Sequence, residues 1–183
     1  MDFSQFANYI LNKTFISCNG HHLRICEIEF YLKSKEHPDP YVHDTPDQHT
    51  YGNWYFHKTG TGSYRGGTFK GLDITFGSAD IAFGVLIRSV YDSKIGIIEG
   101  PCKSVNRILD LLEVKSIVDF TQGKLLGISH DKLMLKELKE YDSQNVIRGP
   151  RIGLSDKYPE YQHRDYRFVN TKLVKKKAKT LHY

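Results

Sequence analysis

Leu23-Arg24-Ile25-Cys26-Glu27-Ile28-Glu29-Phe30-Tyr31-Leu32 alternates with a period of two. Cys26, Ile28, Phe30 and Leu32 fall on one face, and Glu27, Glu29 and Tyr31 on the other. The stretch predicts a strand whose apolar face meets a core and whose other face carries two carboxylates and an aromatic ring. Two more segments have the same character: Leu72 to Phe76, where Leu72, Ile74 and Phe76 alternate with Asp73 and Thr75, and Ile81 to Val90, an apolar run that reaches Arg88. Shorter strand patterns lie at Arg151 to Leu154 and Tyr166 to Val169, and Asn19-Gly20 marks a turn. Helical spacing appears in Phe3, Phe6, Ala7, Ile10 and Leu11, again in Val105, Ile108, Leu109 and Leu112 after Gly100-Pro101, and in Leu135, Leu138 and Tyr141 within 131–141. These elements predict an α+β fold, a single domain over residues 1–183 around a curved, mostly antiparallel sheet with flanking helices.

Size and composition agree. A chain of 183 residues is one domain's worth. Its 39% apolar residues, with 12 Tyr and 10 Phe, are enough for a core, which excludes wholesale disorder. No apolar run reaches the roughly 18 residues of a membrane helix, and Met1 to Ile10 lacks the pattern of a signal peptide. An intracellular monomer without a membrane partner is the expectation. Cys18, Cys26 and Cys102 form no CxxC pair, which argues against a disulfide framework and a structural zinc site. The net charge of +5 is concentrated at one end: residues 164–183 hold seven Lys or Arg against one Asp, +6, leaving −1 for the other 163 residues. A basic end on a near-neutral body suits a polyanion, with Lys175, Lys176 and Lys177 as phosphate contacts; a merely solubilising tail is the alternative.

Several groups have the types needed for chemistry. Glu27 and Glu29, two apart on one strand face, repel one another, and partial burial raises the proton affinity of such a pair; a solvated pair at a strand edge is the bland reading. Residues 33–67 are rich in Gly, Pro, Asp and His, with little periodicity, and are far longer than an ordinary connection, which marks a functional loop. Within it, His43, Asp47 and His49 are donor types for a metal or a proton relay, although their spacing matches no standard metal motif. Gly60, Gly62, Gly66 and Gly67 surround Tyr64-Arg65 in a stretch able to cradle a phosphate backbone, without being a P-loop or a dinucleotide fingerprint.

The order of four blocks adds to this. Arg24 to Leu32 resembles the R-I-V-E-T-E-A-Y-L strand of the alkyladenine (methylpurine) DNA glycosylase family, and a His and a Thr-Pro follow in both. Gly84-Val85-Leu86-Ile87-Arg88-Ser89-Val90 resembles that family's G-x-V-L-L-R-A-L strand, and Gly100-Pro101-Cys102-Lys103 its G-P-G-K helix start. Arg148 to Leu154 resembles its P-R-I-G-I segment, and Tyr166-Arg167-Phe168 stands where the family has W-R-F-Y. The resemblance implies a methylpurine-DNA glycosylase-like fold and an enzyme that flips a modified base out of DNA and hydrolyses its N-glycosidic bond, needing neither metal nor cofactor. On it, Glu29 matches the water-activating carboxylate with Glu27 in support, Arg88 the arginine near the water, Tyr31 the ring that stacks on the flipped base, and His43 a pocket histidine.

The chain departs from that family in one place. The family's Y-V-Y-x-x-Y-G-x-x-x-x-x-N segment supplies a pocket Tyr, an intercalating Tyr and a gating Asn. The corresponding stretch here, Ser63 to Asp73, puts Tyr64 in the pocket, Gly66 at the wedge and Asp73 at the gate, with Arg65 and Lys70 beside them, and with Arg151, as nucleic-acid contacts. Asp73 accepts hydrogen bonds where Asn also donates, so it alters base preference towards an unusual or bulky modified base. The cluster Trp54-Tyr55-Phe56-His57 supplies substitute stacking surface in the pocket, or else packs the long loop. Two rival readings accompany the glycosylase: a catalytically inactive binder of modified nucleic acid, and a metal-dependent hydrolase using His43, Asp47 and His49.

Overall fold

In the computed structural model, which describes residues 2–57, 70–140, 146–174 and 181, the chain is built on one long strand, β2 (His21–Lys33). β1 (Thr14–Cys18) enters it through a two-residue hairpin in which Asn19 (φ 45°) and Gly20 (φ 80°) are both left-handed, the conformation that Asn-Gly accepts at least cost. β5 (Ala82–Asp92) pairs along most of β2, from Leu23↔Asp92 to Lys33↔Ala82. β3 (Tyr51–His57), β4 (Gly71–Phe76) and β6 (Gly96–Glu99) extend the sheet on the side of β5. The short β7 (Leu126–Gly127) and β8 (Ser129–His130), with β9 (Leu133–Glu137), form its margins: β7 pairs with β3, and β9 joins β1 to β8. β10 (Val146–Gly149) pairs with β11 (Arg167–Asn170), and β11 pairs in turn with the middle of β2. Every pairing between these strands is antiparallel, and they form one curved, nearly closed sheet.

The helices close this sheet. α1 (Phe3–Asn8) is capped by Asp2, whose carboxylate accepts from Ser4 N and Gln5 N, and it continues into a π-helical turn at Tyr9–Lys13. α2 (Pro101–Leu112) starts with Pro101 at its first turn and ends at left-handed Glu113 (φ 58°), with Val105, Ile108 and Leu109 buried against the sheet. α3 (Ile117–Thr121) and α4 (Pro159–Gln162) are single turns. The main core joins Ile10 and Leu11 to Ile25, Ile28, Phe30, Ile74, Val85, Ile87 and the α2 residues. No helix among the described residues is long and apolar enough to cross a membrane.

Three expectations are corrected. Within 131–141 the chain forms β9, not a helix: Leu133 and Leu135 alternate as well as Leu135 and Leu138 repeat, and the open edge of β1 decides between the two patterns by pairing Ile16 with Leu135. The long segment after Lys33 is not loop throughout, because β3 lies within it and buries Trp54 and Phe56 on its core face. Arg151 to Leu154 is not a strand; β10 ends at Gly149 and the chain bends over the sheet. Within β2 the alternation also breaks. A register irregularity at Cys26 and Glu27 sends Cys26 into a small second cluster with Ile147, Val169 and Val174, while Ile25 and Ile28 both stay in the main core.

Candidate active site

Glu29 is wholly removed from solvent. Its Oε2 accepts from the Tyr31 hydroxyl at 2.9 Å, its Oε1 accepts from Ile152 N at 2.8 Å, and Arg88 Nη1 stands 3.3 Å from Oε1. Burial pushes the proton affinity of this carboxyl up, against the opposing pull of Arg88, the Ile152 N–H and the Tyr31 hydroxyl. The carboxylate is therefore more basic than an ordinary glutamate and is held by three donors. Burial and the neighbouring Glu29 charge likewise raise the Tyr31 phenol well above its usual range, so it remains a donor.

Glu27 has a different task. Its Oε1 accepts from Arg167 Nε at 2.6 Å and from Arg88 Nε at 3.2 Å, and its Oε2 accepts from Ser89 Oγ at 2.7 Å. Arg88 thus spans both glutamates, Nε on Glu27 and Nη1 towards Glu29. Burial alone would lower the proton affinity of the guanidinium, but the two carboxylates raise it. Glu27 fixes Arg88, and Arg88 lies beside Glu29.

Above this cluster is a cavity of about 850 Å³, within the range of small-molecule sites and large enough for a base with its sugar. Tyr31, Leu86 and Arg88 line it from the sheet, Gly100 to Lys103 from the start of α2, and Ile152 to Leu154 from the bend after β10. His43 and Tyr41 come from the segment after β2, and His57 from the end of β3. The Arg151 guanidinium lies 4.6 Å from the Tyr31 ring centroid, so the ring is backed by a cation.

Several expected residues stand elsewhere. Trp54 is not a pocket residue: it is 1% exposed in the core, and its Nε1 donates to Leu133 O, which ties β3 to β9. Arg151 is not a nucleic-acid contact. Its side chain is wholly buried and ion-paired with Asp39 at 2.8 Å, where it supports Tyr31. Lys70 is buried too, its ammonium donating to Asn106 Oδ1 at 2.9 Å on the α2 wall of the cavity, rather than reaching solvent phosphates. Asp73 does not line the cavity; it lies behind His57, with Nε2 of His57 2.8 Å from its Oδ1. Arg167 of the basic end turns inward to Glu27. Tyr64, Arg65 and the glycines around them lie outside the described residues, in the connection from β3 to β4, as do Lys175, Lys176 and Lys177 beyond Val174. The pairing Tyr55↔Asp73 puts Tyr55 beside the expected gate position on the neighbouring strand.

His43, Asp47 and His49 are not gathered into a metal site. His49 Nε2 pairs with Asp44 at 2.9 Å and its Nδ1 meets Ser78 O, and among the described residues no group of three or more His, Cys, Asp or Glu side chains is placed to hold an ion. Sequence reasoning does not find Tyr41, or Ile152, which acts through its backbone and so leaves no trace in residue type, and it brings His57 to the pocket only as one of the Trp54 to His57 cluster. The alternation of Tyr55 and His57 with Trp54 and Phe56 is the one signal that points to His57.

No protein-family model matches the chain. It is 41% identical over 194 residues to the uncharacterized protein L759 of Acanthamoeba polyphaga mimivirus, covering 97% of this chain and 90% of that protein.

Proposed function

The chain belongs to the family of this mimivirus protein, whose name carries no activity, and from the site itself we propose that it is a DNA N-glycosylase acting on a modified base. One observation supports this reading above the others. The four blocks that resemble the methylpurine DNA glycosylases are far apart in sequence, yet Tyr31, Leu86 with Arg88, Gly100 to Lys103, and Ile152 to Leu154 all line one cavity, with Glu29 beneath it. Such convergence is what a site requires and what scattered chance matches would not produce.

In this reading a base turned out of DNA enters the cavity and stacks on Tyr31. A water hydrogen-bonds to Oε2 of Glu29 beside the Tyr31 hydroxyl and attacks C1′. Glu29 accepts the water proton as the O–C1′ bond forms, and the C1′–N bond breaks with its electron pair going to the base. Positive charge developing on the sugar is balanced by the Glu29 carboxylate in a site with little water. Arg88, tethered by Glu27, steadies that carboxylate.

The test is a panel of oligonucleotides carrying single modified bases, scored for alkali-labile abasic sites. Base release by the wild type, and its fall by about 10²- to 10⁴-fold in Glu29→Gln with DNA binding retained, is the expected result. Wild-type binding without release from any base would favour an inactive reader of modified DNA.

A further inference from the structure

His57 and Asp73 form a second acid–base pair across β5 from the reaction carboxylate, Asp73 and Glu29 both pairing with Leu86. His57 Nε2 lies 2.8 Å from Asp73 Oδ1. The approach lacks hydrogen-bond alignment, and neither Asp73 oxygen has a hydrogen bond from any other described residue, although the side chain is wholly buried. A carboxylate removed from water in this way is strongly unfavourable unless a donor or a positive charge stands against it, and the His57 imidazole is the group beside it. The chain makes room for the pair. Gly84 on β5 has no side chain where a Cβ would come within 2.4 Å of Asp73 Oδ2, and Gly71 lies where a Cβ would touch the His57 ring at 3.3 Å. His57 itself reaches the cavity, and its Nδ1 is hydrogen-bonded to no described residue. Tyr55 of β3 lies 4.6 Å from it ring to ring, and His43, from the segment after β2, 5.2 Å.

We propose that His57, held by Asp73, is the proton donor to the departing base, and that Asp73 is its positioning residue. The assignment rests on the glycosylase reading and completes its proton balance. Glu29 takes a proton from the attacking water, while His57 Nδ1–H gives one to a ring nitrogen or exocyclic oxygen of the base as the C1′–N electron pair arrives there. The base leaves neutral, and the imidazole keeps its place on Asp73. Such a donor is needed by an uncharged modified base, which otherwise departs as an anion; a cationic base, alkylated on the ring, departs neutral without it. The two glutamates, the arginine and the phenol of the Glu29 cluster supply no such donor, since the phenol is committed to Oε2.

The experiment compares single-turnover release of an uncharged base, 1,N6-ethenoadenine or hypoxanthine, with release of cationic 7-methylguanine, using the full chain. In His57→Gln the ratio of uncharged to cationic base release should fall by about 10²-fold or more. In Asp73→Asn the imidazole loses the carboxylate that positions it, so the same ratio should fall, by less than in His57→Gln, with the release of the cationic base nearly unchanged. A ratio that does not change in His57→Gln, or a wild type that releases the cationic base alone, overturns the donor assignment and leaves the glycosylase standing. A wild type that releases neither these bases nor any other of the panel overturns both.

Discussion

At the scale of single residues, Glu29 combines chemical use with a cost to the fold. Its proton affinity is higher in the folded chain than in water, so folding takes up a proton and stability falls as pH rises from the ordinary glutamate value of about 4.3 through the raised folded value. Glu29→Gln removes this dependence. Denaturant titrations at several pH values from about 4 upward, starting below the ordinary glutamate value, should show the wild type losing stability relative to the variant as pH rises, and a constant difference would mean that Glu29 has no perturbed proton affinity. Tyr31 carries two functions that substitution can separate. Tyr31→Phe keeps the stacking ring but removes the hydroxyl that helps keep Glu29 ionised. Because the base must be ionised to act, the acid limb of the pH–rate profile should move to higher pH, whereas Tyr31→Ala should also lose a stacking contribution of about 1–3 kcal/mol in binding.

Among the elements, the β3–β4–β5 arm carries His57, Leu86 and Arg88 to the cavity, and small residues determine how closely its strands carry side chains past one another. Asp73 on β4 sits over Gly84 on β5, and a methyl group there would meet the carboxylate in a region with no free space. Gly84→Ala should destabilise the fold by about 1–3 kcal/mol and displace His57 as well, read by thermal unfolding beside base release; an unchanged unfolding curve would mean that the strands separate easily at this point. Trp54 shows the same arm meeting the opposite margin of the sheet. Its Nε1 bond to Leu133 O is the link from β3 to β9, and Trp54→Phe, which loses that bond and some packing, should cost about 1–3 kcal/mol, measured by chemical denaturation. No loss would show that water replaces the indole as partner.

For the whole molecule, the distribution of charge implies a division of labour between body and end. Arg151, Arg167 and Lys70 turn inward, and on the glycosylase reading the general affinity for DNA is expected of Lys175, Lys176, Lys177 and Lys179 of the basic end. Replacing these four with Ala should weaken binding to all DNA sequences alike and flatten the salt dependence of log Kd, with a change of about 0.9 in slope for each phosphate no longer neutralised. A slope that does not move would make the end a solubiliser. Base release under saturating DNA should be less affected than affinity, because phosphate contacts position the chain on DNA without acting on the reacting bond.

What the sequence by itself determined is what local pattern dictates. The period-two run of β2 placed Glu29 and Tyr31 together, Asn19-Gly20 fixed the hairpin before it, Gly100-Pro101 started α2, and the aromatic and apolar content was enough for one α+β core. Tertiary structure alone decided the rest, wherever a residue's role depends on a distant partner. Leu133 to Glu137 became a strand because β1 had an open edge, since an apolar pattern short enough to suit either helix or strand is settled by the backbone groups that need pairing. Arg151 and Lys70 read as surface cations and are buried, because a charge goes inside only where a partner awaits it, and Asp39 and Asn106 are remote in sequence. Ile152 donates to Glu29 through a backbone N–H that every non-proline residue possesses. His57 and Asp73 are 16 positions apart and meet because β3 and β4 are neighbours. Alternation tells which face a side chain takes; only the packed sheet tells what it faces.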